Sequence, residues 1–183
     1  MHMDIIALET PRNTEKHLSP PFAKEDLFIV TEYGKTPYNT ACYQLRMNSP
    51  IGCLQYVISG RGTIICDDKI FTVQGGDTFL LPANTNHIYY STTENHFERI
   101  WINFKGTLAD ALLSVFQLES QIVFRQTDIR ALLEEIQCAC KTNQDANAYE
   151  QTSALAFFKT LQFLAKQKTK TKETPEQIEQ IRL

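Results

Sequence analysis

Histidines are the residues of this chain best suited to bind a metal ion or move a proton, and there are four among its 183 residues. A catalytic divalent metal needs several imidazole, carboxylate or thiolate groups that converge on one point. His2 and His17 fall in an N-terminal stretch interrupted by prolines, and His96 follows a polar turn, which leaves His87 alone in a candidate strand. The sequence also has no Ser-His-Asp signature and no phosphate-binding glycine loop. We therefore predict no metal, no cofactor and no catalytic residues.

Polar and aromatic side chains on candidate strands favour ligand binding instead. Successive side chains of a strand face opposite sides, so Trp101 and Asn103 share one face. An aromatic ring that stacks on a sugar, beside guanidinium, imidazole and amide groups that bond to its hydroxyls, is a common arrangement for carbohydrate binding. Each residue taken singly also suits a structural role, for example as a core aromatic. Together they predict a ligand site formed by Arg46, Tyr56, His87, Tyr89, Trp101 and Asn103.

Short segments rich in β-branched and aromatic residues must position this site. The candidate strands are residues 27–33, 41–47, 53–59, 62–66, 69–73, 77–81, 86–91 and 98–104. Turn-forming residues separate them, beginning with the Ser-Gly-Arg-Gly sequence at 59–62. Strands of this length and spacing predict a double-sheet jelly roll or a small barrel.

After residue 106 the pattern becomes that of amphipathic helices. Residues 128–140 place apolar side chains on one helical face, with Asp128 as the N-cap. A helix over residues 148–168 has Leu155, Phe158, Leu161 and either Leu164 or Ala165 in register. An earlier helix spans residues 108–116. Because such faces need partners, we expect one helix to pack on the barrel and another to pair with a second chain.

Composition narrows the classes of function. A formal net charge of -3 gives no basic surface for nucleic acid. No apolar run approaches the roughly 20 residues of a membrane helix, and the N-terminus lacks the features of a signal peptide. The five cysteines have no metal-site spacing and are expected to be reduced. We therefore predict a cytoplasmic protein with no membrane contact.

The spacing around His87 resembles the second motif of cupin barrels, with Gly76, Pro82 and His87 in place and Asn84 where Gly is usual. Residues 52–62 lack the His-x-His pair and the glutamate of the first motif. The resemblance implies a mainly β fold, a cupin-like jelly-roll barrel without metal ligands, followed by the C-terminal amphipathic helices.

Three blocks of sequence resemble the sugar-sensing N-terminal domain of AraC/XylS-type transcriptional regulators. They are Arg46 with residues 54–62, residues 75–82 with His87 and Tyr89, and residues 98–106. The resemblance covers residues 25–183 and implies a small effector, often a sugar, inside the barrel. It also implies a homodimer through the C-terminal helices and a linked DNA-binding domain with two helix-turn-helix motifs. Arg46, His87 and Trp101 match effector-contacting positions, and Asn103 stands where relatives often have His.

The resemblance divides the chain into four parts. Residues 1–25 are an irregular arm that in such regulators can close over the ligand, and residues 26–106 are the cupin-like ligand-binding barrel. Residues 107–168 are a helical dimerisation region. Residues 169–183 are a linker and the start of a truncated DNA-binding domain, whose first helix begins at Thr174.

The leading hypothesis is therefore the effector-binding and dimerisation domain of a bacterial regulator, which is not an enzyme. One alternative is a cupin-fold enzyme such as a sugar isomerase or epimerase, and another is a binding module that never carried DNA-binding helices. Fatty and aromatic acids are alternative effectors within the regulator hypothesis. Arg46, His87 and Asn103 favour polyols over these.

Overall fold

The computed structural model describes residues 15–19, 27–38, 42–91, 96–142 and 145–168. These residues form nine strands: β1 (Glu15–Leu18), β2 (Ile29–Thr36), β3 (Tyr43–Ser49), β4 (Gly52–Cys66), β5 (Lys69–Gln74), β6 (Thr78–Leu81), β7 (Thr85–Tyr90), β8 (Phe97–Lys105) and β9 (Val123–Phe124). They also form three helices: α1 (Thr107–Val115), α2 (Arg130–Thr142) and α3 (Ala146–Lys168).

Strand β4 joins two antiparallel sheets into one barrel. Its first half pairs with β6 and β8, in a sheet ordered β1-β2-β8-β4-β6-β9. Its second half pairs with β5 and β7, and β7 also pairs with β3. This arrangement confirms the prediction of a mainly β, cupin-like jelly-roll barrel followed by amphipathic helices.

Residues 59–62 do not form the predicted turn, because β4 continues through them as one strand of 15 residues. Gly60 has a φ of 85°, a value that L side chains rarely adopt. A Cβ at this position would also overlap the carbonyl oxygen of His96. Glycine therefore lets the strand bend from one sheet into the other while β8 begins directly beside it.

The N-terminal stretch was predicted to be irregular, but four of its residues form the edge strand β1. The Lys16 ammonium lies 2.7 Å from Glu32 Oε1, and the rings of His17 and Tyr33 stack with centroids 5.1 Å apart. Side-chain contacts with β2 thus add to the backbone pairing. Residues 1–14 and 20–25 of the predicted arm, the linker at residues 169–183 and the helix at Thr174 lie outside the described residues.

Two hydrophobic clusters lie on opposite faces of the first sheet. The larger one joins the sheet to the helices and includes Leu54, Tyr56, Ile100, Ile102, Leu133, Ile136, Phe157 and Leu161. The smaller one fills the barrel and includes Cys53, Val57, Ile64, Phe79, Tyr89 and Phe97. The first half of β4 and most of β8 are therefore buried on both faces.

The helices begin within two residues of their predicted starts. Asp128 accepts the backbone N–H of Arg130 at 2.9 Å, as expected for a residue that caps α2. In α3 the predicted face is confirmed in part: Leu161 and Leu164 are buried, but Leu155 is 55% exposed and Phe157 is buried in its place. No helix in the described part of the chain is long and apolar enough to cross a membrane.

Candidate functional site

The interior face of β8 carries a run of polar and amphipathic side chains. Arg99, Trp101 and Asn103 are 5%, 8% and 3% exposed, while Ile100 and Ile102 between them face the helices. Strands β3 and β7 of the other sheet add Arg46, His87 and Tyr89. The barrel interior is therefore apolar at some positions and rich in hydrogen-bonding groups at others.

Arg46 and Asn103 connect the two sheets. Arg46 Nη1 donates to Asn103 Oδ1 at 3.4 Å, and Asn103 Nδ2 donates to Glu32 Oε2 at 2.9 Å. Glu32 in turn forms the ion pair with Lys16 of β1. The charge of Arg46 is thus linked through one amide to a carboxylate, and the edge strand takes part in the same network.

His87 is neutral near pH 7 and has one ring nitrogen free to accept a hydrogen bond. Burial, with the Arg46 cation nearby, lowers the pKa of His87 to about 4. The Thr85 hydroxyl has a single proton, and its contact with the Pro82 carbonyl, at 2.8 Å, is shorter than its 3.2 Å contact with His87 Nδ1. We therefore assign the ring proton to Nδ1, which leaves Nε2 as an acceptor. Nε2 is buried and has no partner among the described residues.

Trp101 and Arg99 share one hydroxyl group of β2. Trp101 Nε1 donates to Thr36 Oγ1 at 3.1 Å, and Arg99 Nη2 lies 3.5 Å from the same oxygen. The Arg99 guanidinium is also 4.6 Å from the ring centroid of Phe97 and 5.0 Å from that of Tyr89. Cation–π contact stabilises the charge between these rings.

The first half of β4 contributes a second amide to the interior. Gln55 is 1% exposed and its Nε2 donates to Cys53 Sγ at 2.8 Å, while its Oε1 has no partner among the described residues. Burial raises the pKa of the Cys53 thiol and of the Tyr89 hydroxyl, so both groups are neutral near pH 7. The interior thus offers neutral donors and acceptors beside two guanidinium groups.

The described residues contain no group of three or more His, Cys, Asp or Glu side chains placed to hold a metal ion. An outer cleft of about 530 Å³ reaches His87 from the barrel surface, and its other lining residues are Met47, Ile65, Asp67, Asp68, Asn86 and Ile88. His87 therefore lies between the polar interior and a surface cleft.

Comparison of the sequence with protein families supplies the identity of this barrel. A family model described as AraC-like ligand binding domain matches residues 50–158, which is more than half of the chain. The chain belongs to this family. The match begins just before β4 and ends within α3, so it spans most of the barrel and the helices packed on it. No curated protein sequence matches the chain.

Several solved structures are similar to this AraC-like domain at low sequence identity. ToxT from Vibrio cholerae is 9% identical, with a TM-score of 0.49 over 80% of this chain and 59% of its own. YhaK from Escherichia coli is 9% identical, with a TM-score of 0.42 over 51% of this chain and 44% of its own. The Cnp3 cupin domain of Schizosaccharomyces pombe is 11% identical, with a TM-score of 0.39 over 54% of this chain and 72% of its own. The chain spans less than two thirds of the length of ToxT and of YhaK.

The structure of the AraC-like domain brings together five of the six residues predicted to bind a ligand. Arg46, His87, Tyr89, Trp101 and Asn103 all face the interior or its edge. Tyr56 does not join them, because it lies on the opposite face of β4 in the cluster shared with the helices. The Arg130 guanidinium of α2 lies 5.3 Å from the centroid of its ring.

Arg99 and Gln55 are interior residues that the sequence-based site did not include. Strand alternation already places Gln55 on the face of β4 opposite Tyr56, and Arg99 on the face of β8 that holds Trp101. The missing information was which face of each strand turns inward. The sequence does not reveal the inward face, because both faces of these strands are buried and neither one is uniformly polar.

Proposed function

We propose that this AraC-like domain binds a polar small molecule, a sugar or a sugar derivative, inside the barrel and does not act as an enzyme. The observation that carries the proposal is a set of buried polar atoms on β4, β7 and β8, each without a partner among the described residues. These atoms are Gln55 Oε1, His87 Nε2, Arg99 Nε and Arg99 Nη1. Buried polar groups are costly unless they are bonded, so a hydroxylated ligand that bonds to them would stabilise the fold.

In this proposal Trp101 is the apolar platform, and Arg46, His87 and Asn103 bond to the hydroxyl groups. His87 Nε2 accepts from a hydroxyl, and the Arg46 guanidinium donates to one. Tyr89 is a further interior donor. We leave Tyr56 out, because its ring contacts the helices.

A thermal-shift screen against monosaccharides, sugar derivatives, and fatty and aromatic acids tests the proposal. A ligand at 100 times its dissociation constant adds about 2.7 kcal/mol to the folded state, which raises the midpoint by several degrees. We expect Trp101→Leu to abolish the shift and Tyr56→Leu, a buried aromatic on the opposite face of the sheet, to retain it. A response only to fatty or aromatic acids would overturn the sugar assignment and leave effector binding standing.

Signalling requires contacts that differ between the free and bound domain, since a ligand shifts only states that it binds unequally. Gln137 of α2 supports a route from the barrel to the helices. Its Nε2 donates to the backbone carbonyls of Gly34 and Trp101, each at 3.2 Å. A small displacement of β8 on ligand binding would thus reach α2 directly.

We further propose that the domain is the effector-binding part of a cytoplasmic transcriptional regulator, forms a homodimer through its helices, and acts on DNA through a linked DNA-binding domain. Val115, Leu155 and Phe158 of α1 and α3 are 75%, 55% and 37% exposed, which supports pairing through this side. Light scattering tests the dimer: we expect twice the chain mass for the wild type and a monomer for Leu155→Glu. A wild-type monomer at tens of micromolar would contradict helix pairing.

A further inference from the structure

Arg99 is a buried cation whose immediate contacts are all neutral. Its side chain lies in the barrel interior on β8, and the residue is 5% exposed. Nη2 donates to Cys42 Sγ at 3.0 Å and lies 3.5 Å from Thr36 Oγ1. The rings of Phe97 and Tyr89 cover the guanidinium. Nε and Nη1, which together carry three N–H bonds, have no acceptor among the described residues.

The two interior arginines differ in how their charge is balanced. Arg46 reaches Glu32 through Asn103, and Glu32 is further bound by Lys16. Arg99 has no carboxylate within ion-pair distance in the described part of the chain. An arginine stays protonated in proteins, and an unpaired buried charge is strongly unfavourable. Aromatic rings offset only part of this cost.

Both guanidinium groups act on the same region of the interior. Arg46 Nη1 donates to Asn103 Oδ1 at 3.4 Å, and Arg99 lies on the same face of β8 as Asn103. This face of β8 therefore has positive potential and unused N–H donors. Neutral polyols satisfy hydrogen bonds but leave such a charge uncompensated.

We propose that the effector carries a carboxylate or phosphate group that binds the Arg99 guanidinium, while its hydroxylated remainder lies against Trp101 and His87. This inference rests on the proposed effector-binding function and narrows it to acidic sugar derivatives. Guanidinium pairs with either oxyanion through charge-assisted hydrogen bonds that are shorter and stronger than neutral ones.

Calorimetric titration of the full chain with four probes of one carbon skeleton tests the charge requirement. The probes are glucose, glucuronamide, glucuronate and glucose 6-phosphate. We expect one of the two anionic probes to bind, and the affinities of glucose and glucuronamide to be at least about 10-fold lower. Whether glucuronate or glucose 6-phosphate binds better distinguishes a carboxylate from a phosphate. Equal affinity for the neutral and anionic probes would overturn the charge requirement and keep the proposed function. Binding of none of the four would overturn both.

The unfolding midpoint of Arg99→Met tests the inference without a ligand, because methionine is a long, flexible side chain that carries no charge. Because an unpaired buried charge is costly and methionine carries none, we expect the ligand-free variant to unfold at or above the wild-type midpoint. Its affinity for the anionic probe should fall about 10- to 100-fold. The control Arg61→Met removes an exposed arginine of β4 and should leave binding unchanged. A ligand-free midpoint several degrees below wild type would overturn the inference, since it would mean that the protein itself balances the charge.

Discussion

Tyr149 of α3 forms hydrogen bonds with the barrel through its hydroxyl group. The substitution Tyr149→Phe removes this hydroxyl and keeps the ring. The hydroxyl donates to the Val30 carbonyl at 3.1 Å and accepts from the Val30 N–H at 3.2 Å. Both residues are 1% exposed or less, so water does not replace these bonds when the hydroxyl is lost. The ring stays, so no large cavity forms. Two buried backbone groups that lose a partner cost about 1–2 kcal/mol each, which predicts a loss of about 2–4 kcal/mol for Tyr149→Phe.

Equilibrium unfolding in urea measures this loss as a lower midpoint with an unchanged slope. The matched control is Tyr43→Phe, because Tyr43 is 40% exposed on the outer face of β3 and should change the unfolding free energy by less than about 0.5 kcal/mol. A loss below about 0.5 kcal/mol for Tyr149→Phe would refute the reasoning, since it would mean that Val30 does not depend on the hydroxyl.

Three further predictions concern the interior and the barrel rim. Because the pKa of buried His87 is about 4 against 6.5 when free, the unfolded chain takes up the proton first as the pH falls from about 6.5 to about 4. The unfolding free energy should therefore drop by up to about 3 kcal/mol over this window, and denaturant titrations should show the drop much reduced in His87→Gln. The Asp77 carboxylate accepts hydrogen bonds from the backbone N–H groups of Gln74 and Gln126 and from Arg125 Nη1. Asp77→Ala should therefore lower the free energy of unfolding in urea by about 3 kcal/mol or more. A loss under about 1 kcal/mol would contradict this. A Cβ at Gly34 would overlap the carbonyl oxygen of Glu15, so Gly34→Ala should speed hydrogen exchange in β1, and unchanged exchange there would argue against the contact.

Much of the fold follows from patterns that the sequence carries locally. Short β-branched segments separated by turn residues, and later apolar positions at helical spacing, correspond to β2–β8 and α1–α3. Gly60 is where local reasoning failed, because a glycine that ends a hairpin strand and a glycine that bends a long one look alike in sequence. The two cases differ in whether a distant strand pairs with the glycine. Here β8 pairs with Gly60, although it begins nearly 40 residues later in the sequence.

The face of α3 was harder to predict for a related reason. Its apolar residues surround much of the helix, so several registers fit the sequence equally well. Tyr149 and Phe157 are buried because β2 and β8 supply their partners, including the Val30 backbone and the ring of Phe104. Leu155 and Phe158 then point away from the barrel. Local periodicity carries no information about which partners are present.

The interior of the barrel illustrates why a candidate site can be located from sequence before its chemistry is known. Trp101 and Asn103 alternate on β8 with isoleucines, and this alternation indicates that they share a face. Arg99 lies on the same face, yet an arginine at an alternating position is typical of a strand that faces solvent. Only the second layer, formed by β3 and β7, turns that face into an interior. The chemical importance of Arg99 therefore comes from the pairing of distant strands, which removes water from around its charge and leaves the charge to be balanced by a ligand.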